Sequence, residues 1–143
     1  MLTALDQALR SVPMLQTLGI RAEEARPGHL VLRLPYGTGV TNHAGAIHTS
    51  AIFAVGELAA AVALATHPEL AGYVQLQKST KIKYYASSQH DVTAHARITA
   101  EMVVAAVDQV AGGSTRLDVP VQVFDGHGSD VAELISRFTL RMR

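Results

Sequence analysis

Apolar residues recur with a helical period at Leu2, Leu5, Leu9, Val12, Leu15 and Leu18, and Pro13 interrupts that period. The spacing predicts a short packing helix with a kink or a second turn. From Ile20 to Leu34 the pattern becomes that of two strands around Arg26-Pro27-Gly28, the second carrying Leu30, Leu32 and Leu34 on one parity, so a hairpin is expected. Residues 36–49 are rich in Gly, Thr, Asn and His and show no period, which reads as a loop feeding a helix. From about Ser50 to Thr66 the chain is apolar on nearly every helical face. Past His67-Pro68, the run Tyr73 to Tyr85 is extended. Val74, Leu76, Ile82 and Tyr84 share one parity, and Gln75, Gln77, Lys81 and Lys83 share the other, the pattern of a half-buried strand.

Ser87 to His90 then turn the chain into a strand over Val92 to Ile98. Met102, Val103, Ala106, Val107 and Val110 fall at helical spacing and stop at Gly112-Gly113, so a short helix over 99–111 is expected, with a continued strand as the alternative. Leu117, Val119, Val121 and Val123 alternate as a strand in which Pro120 points to an edge position or a bulge. After the turn at Asp125-Gly126-His127-Gly128, Leu134, Phe138, Leu140 and Met142 mark a last strand.

A helix with no polar face is buried all round or lies in a bilayer. This one has roughly 16 residues, short of the ~20 that span a membrane, and carries Glu57 at its midpoint. The expected fold is therefore α+β: one curled, mostly antiparallel sheet of five to six strands wrapped around one long buried helix, in a single domain over residues 1–143. Hydrophobic residues make up 48% of the chain and charged residues 17%, lean enough in charge to anticipate an oligomer. Twelve basic residues balance twelve acidic ones, so no net field draws the chain to nucleic acid or to an anionic membrane. The absence of Cys excludes disulfides, thiolate metal sites and a Cys nucleophile. His29, His67, His90, His95 and His127 are scattered without ligand spacing, and neither a metal nor another cofactor is expected. The first residues, with an early Asp6 and no basic stretch before a long apolar core, make a poor signal peptide, so a cytoplasmic location is expected.

Glu57 is the residue that composition leaves unexplained. A charge inside an apolar helix costs several kcal/mol unless it is used or paired. Upstream of it runs Asn42-x-x-Gly45-x-x-His48-Thr49-Ser50, with Glu57 nine residues after His48. This pattern resembles the signature of the hotdog-fold acyl-CoA thioesterases, the superfamily of the 4-hydroxybenzoyl-CoA and phenylacetic-acid-degradation thioesterases. There Asn-x-x-Gly-x-x-His-Gly-Gly is followed by an acid nine residues after the His. The run from Lys78 to Ile98 is similar to the long central hairpin of that fold. Two features depart from it: Thr49 and Ser50 stand where two glycines are usual, and a helix is added at 99–111.

The resemblance implies hydrolysis of an acyl-CoA, or of an acyl thioester on a carrier, by a homodimer or a tetramer of dimers. Glu57 would be the general base or nucleophile, and the Thr49 N–H the oxyanion donor. Asn42 would orient water or the substrate carbonyl, and His48 would brace the loop or approach the thioester. Ser50 and Phe53 would border the acyl group, while Lys81 and Lys83, with Lys78, would meet the phosphates of a nucleotide tail. Helix geometry adds a condition. Glu57 lies eight residues beyond Thr49, about 12 Å along one helix. One helix cannot offer both groups to one carbonyl, whereas a second copy running antiparallel across a two-fold axis can.

Other readings of the same residues stand beside these. Asn42 would serve equally in an Asx turn, His48 as a helix cap, and Glu57 as a structural acid. His43, fourteen residues before Glu57, would suit a hotdog hydratase or dehydratase acting on an enoyl or hydroxyacyl thioester, although the Pro-rich glycine loop of those enzymes is missing. A non-catalytic acyl-CoA binding module is the third possibility.

Overall fold

The computed structural model describes residues 1–143. Its N-terminal segment is two helices, α1 (Leu2–Arg10) and α2 (Pro13–Leu18), rather than one kinked helix. Pro13 sits in the first turn of α2, where a missing N–H disturbs nothing, and Gly19 ends α2 in the left-handed conformation at φ 77°. Asp6 fastens this segment to the sheet: its carboxylate accepts from Arg21 Nε and Nη2 at 3.0 and 2.7 Å and from the Ala22 N–H at 2.9 Å.

β1 (Arg21–Arg26) and β2 (His29–Leu34) form the expected hairpin. Gly28 in its turn has φ +80°, and a Cβ there would lie 2.5 Å from the Ile98 carbonyl oxygen, so the position requires glycine. The remaining strands are β3 (Val74–Tyr84), β4 (Val92–Arg97), β5 (Ser114–Asp125) and β6 (Asp130–Arg141). They complete one six-stranded sheet of order β1-β2-β4-β5-β6-β3, antiparallel throughout. The long helix α3 (Thr49–Thr66) lies across one face and packs against β2, β3, β4, β5 and β6. Leu30, Leu32, Leu34, Val121, Leu134 and Leu140 are closed over by this packing. At Gly56 the approach is so close that a Cβ would stand 2.6 and 2.7 Å from the two δ-methyls of the buried Leu134. This contact sets how α3, and Glu57 next in sequence, sits over the sheet.

Three expectations are corrected by the pairing. The stretch 78–98 is not a hairpin, because β3 pairs with β6 at one edge while β4 lies between β2 and β5. Residues 85–91 are a crossover, held midway by the Ile47 N–H donating to Ser88 O at 2.8 Å. Second, β3 does not keep one parity. Its register shifts between Gln77 and Ser79, so Gln75 turns inward to donate to Leu64 O and Leu70 O at 3.3 and 3.0 Å, and Leu76 is left 41% exposed. Third, Pro120 is on an interior strand. It lies just past Val121, where the pairing with β4 ends, so no β4 partner is deprived of a donor. The helix expected at 99–111 is present as α4 (Ala100–Val110), its start capped by Thr99 Oγ1, which accepts from the Met102 N–H at 3.2 Å.

The acid side of stability follows from groups far from α3. Burial is the main cause that pushes His29 and His95, on the sheet face away from α3, below the usual imidazole value of 6.5. The Arg21 hydrogen bonds hold Asp6 at about 2, against the usual 3.8. All three bind fewer protons folded than unfolded, so each contributes stability that is lost as pH falls. Stability is expected to decline as pH drops below 6.5, and again below about 3.8 as Asp6 titrates. Urea midpoints measured against pH check this. Asp118, held down by its Arg137 hydrogen bonds, and Asp125, held down by the backbone N–H groups of Ser129 and His127, act in the same direction. Asp6→Asn should therefore lessen the lower decline and keep the upper one, and an unchanged acid limb in the variant would contradict the assignment.

Candidate active site

α3 opens with His48 as its cap, in extended conformation at ψ 138°. His48 Nδ1 accepts from the Ser50 N–H at 3.0 Å, and the His48 carbonyl accepts from the N–H groups of Ala51 and Ile52 at 2.9 and 3.1 Å. Thr49 N–H alone in this first turn has no acceptor within the chain. The start of α3 therefore presents one free donor at the positive end of the helix dipole. Because Nδ1 accepts, a neutral His48 ring carries its proton on Nε2, which makes that edge a second donor. The ring borders a cavity of about 280 Å³ that also touches Ser50, Ala51 and Ala54.

The loop before the helix is shaped by Asn42. Its side-chain oxygen accepts from the N–H groups of Ala44 and Ala46 at 2.9 and 3.1 Å, and its own N–H donates to Ala46 O at 2.7 Å. Gly45 takes φ +79°, Thr41 bridges to Ile47, and the His48 N–H donates to Val40 O at 2.7 Å. The Asx-turn role of Asn42 is thus realised, and its Nδ2 is the part left for anything else. His43 is exposed in the turn of this loop.

Glu57 is half-buried on α3, and no hydrogen bond or ion pair within the chain engages its carboxylate. It belongs to a stripe of α3 that the sheet leaves uncovered, with Ser50, Ala54 and Ala61 in line and Phe53 and Leu58 at its flanks. The helix expected to be buried all round is thus buried on one side only in the single chain. Glu57 and Thr49 are two turns apart on the same helix, about 12 Å along its axis, so one chain does not bring them together. Tyr84 O–H donates to Thr49 O at 3.3 Å, which places the end of β3 beside the start of α3. The outer edge of β3 has no strand beside it, and Leu76, Tyr84 and Tyr85 near that edge are 41%, 44% and 55% exposed. Lys81 and Lys83 are exposed on the sheet face opposite α3, across from Ile135 and Glu133, so they stand apart from the other candidate residues. The periodicity of the sequence did not reveal that α2 borders the same cavity as His48, through Met14 and Leu18.

A six-stranded antiparallel sheet with one long helix laid across it is the hotdog fold. The chain belongs to the family described as a domain of unknown function (DUF4442), whose model matches residues 4–140. A solved structure of a Pseudomonas aeruginosa protein of unknown function, described as a probable thioesterase, is similar at a TM-score of 0.89 and 26% identity, over 99% of this chain and 96% of that one. Zebrafish thioesterase superfamily member 2 is similar at a TM-score of 0.75 and 17% identity, over 99% and 98% of the two chains. A variant of the Staphylococcus aureus thioesterase SAV0944 is similar at 0.74 and 17%, over 91% and 99%. No curated protein matches the sequence.

Proposed function

We propose that the protein hydrolyses acyl-CoA or similar acyl thioesters to free acid and thiol, at sites built across a homodimer. One observation carries this reading: the start of α3 holds a free Thr49 N–H, and Glu57, unengaged, lies two turns further along the uncovered stripe. An antiparallel pairing of two α3 helices that sets Glu57 of one chain against Thr49 of the other has its axis at Phe53, midway between them. The small side chains of Ser50 and Ala54 let the helices approach, and the unpaired edge of β3 would continue the sheet into the second chain.

In such a site the thioester carbonyl oxygen points at the Thr49 N–H, with His48 Nε2–H beside it. The partner's Glu57 takes a proton from water as the water attacks the carbonyl carbon, or attacks that carbon itself. When the tetrahedral intermediate collapses, the C–S bond breaks. In the general-base route the thiolate receives the proton that Glu57 took from water and the acid is released directly. In the nucleophilic route the thiolate leaves first, and water then hydrolyses the acyl–Glu57 anhydride, freeing the acid and supplying the thiol proton. Asn42, held by its Asx turn, keeps the loop in place and offers Nδ2 donors to water or the carbonyl. Only groups of the chain and water enter these steps. With the β3 edge continued into the second chain, Lys81 and Lys83 lie on the far face of the sheet, where they would meet a tail carrying phosphates only if a second dimer packed on that face and presented it. The spacing of Asn42, Gly45, His48 and Glu57 supports a reading of the phenylacetic-acid-degradation and 4-hydroxybenzoyl-CoA type.

Thiol release from a panel of short, medium, long and aromatic acyl-CoAs tests the activity, with hydration of an enoyl-CoA followed in parallel. Hydrolysis of at least one saturated or aromatic member is expected. Hydration without thiol release would overturn the reading in favour of a hydratase, and binding without turnover in favour of a binding module. Ala54→Asp, which places a charge on the uncovered stripe next to the two-fold axis, is expected to give monomers in light scattering and to abolish turnover with them. A monomeric variant of full activity would contradict the two-chain site.

A further inference from the structure

We propose that α2 closes the far end of the acyl-binding cavity and that Met14 sets the length of acyl group accepted; this rests on the thioesterase reading above. The cavity of about 280 Å³ has two unlike walls. One is the start of α3, with His48, Ser50 and Ala54, where the thioester carbonyl is activated. The other is α2, contributing Met14 and Leu18, with Gly39 between them in the short 3-10 turn Thr38–Val40. An acyl chain whose carbonyl meets the Thr49 N–H can enter this space past His48 and Ser50, the neighbours of Thr49, and run along it towards α2.

Part of the space is left by Gly39, between the two walls. A Cβ built on Gly39 meets no atom within 4 Å, and the backbone there is not in the left-handed region, so a side chain could enter without strain. At about 280 Å³ the space lies at the small end of ligand clefts, suited to a small or medium acyl group rather than a long one.

Met14 is 62% exposed, so it does little for the core of this chain. It is unbranched and adaptable, suited to a pocket wall that must fit ligands rather than to a fixed contact. Its position is nonetheless defined. Pro13 and Gly19 fix the two ends of α2, and the Asp6 latch fixes α1 before it. A rigid helix that sets one flexible side chain opposite the small residues Gly39, Ser50, Ala51 and Ala54 is the arrangement that measures length.

The test is an acyl-length profile from four to sixteen carbons, read both as kcat/KM for thiol release and as the affinity of non-hydrolysable thioether analogues of acyl-CoA. Met14→Ala is expected to move the preferred length up by two or more carbons, and Gly39→Leu to move it down, each with thermal stability near that of wild type. The same shifts in thioether affinity would sustain the length-setting role even if no chain length were hydrolysed, in which case only the catalytic reading fails. Profiles unchanged in both variants, in turnover and in affinity, would overturn the proposal while leaving a thioesterase intact.

Discussion

Glu57→Ala is expected to lower thiol release on the best substrate by about 10²–10⁴-fold, the range that a positioned general base supplies. The folded chain gives no reason for a loss of stability, because the carboxylate makes no hydrogen bond or ion pair within it and alanine is the better helix former. Activity should therefore fall while the thermal transition of the protein stays in place. Glu57→Gln, which keeps the shape and removes the charge, should fall by a similar factor. Full activity in either variant would show that the carboxylate is structural.

The second large effect belongs to one backbone N–H. Thr49 is the first residue of α3, the position where proline is best tolerated, and His48 before it already has the extended conformation that a following proline requires. Thr49→Pro thus removes a single donor that the helix itself does not use, and should leave fold and dimer intact. Loss of one oxyanion donor predicts a drop in kcat of about 10²–10³-fold. Thr49→Gly keeps the N–H and restores the residue usual in the thioesterase motif, so its activity should stay within a few-fold of wild type. If Thr49→Pro is as active as wild type, the oxyanion is held elsewhere.

Most of the fold was legible where pattern and burial agree. The β1–β2 hairpin, α3 and the β5–β6 hairpin follow from periodicity bounded by Gly, Pro and Asp turns. What was not legible depended on partners far away in sequence. Nothing local at Lys78 announces the register shift that turns Gln75 inward, because the shift matches β3 to β6 more than fifty residues later. The crossover at 85–91 looked like a turn for the same reason. Within the site, the spacing of Asn42, Gly45, His48 and Glu57 located the helix start and the acid, since these are set by positions along one segment. The sequence could not reveal that Ser50, Ala51 and Ile52 are all satisfied and Thr49 alone is free, because hydrogen-bond geometry decides it. Nor could it show α2 across the cavity, a contact between residues thirty and more positions apart.

Assembly of each site from two chains is tested most directly by mixing the two inactive variants. A hybrid of a Glu57→Ala chain with a Thr49→Pro chain has one site with both defects and one with neither. Random exchange of equal amounts makes half of the dimers hybrid, so activity should return to about one quarter of the wild-type rate. If Glu57 and Thr49 served the same site from one chain, no hybrid would contain an intact site, and the mixture would stay as inactive as its parts.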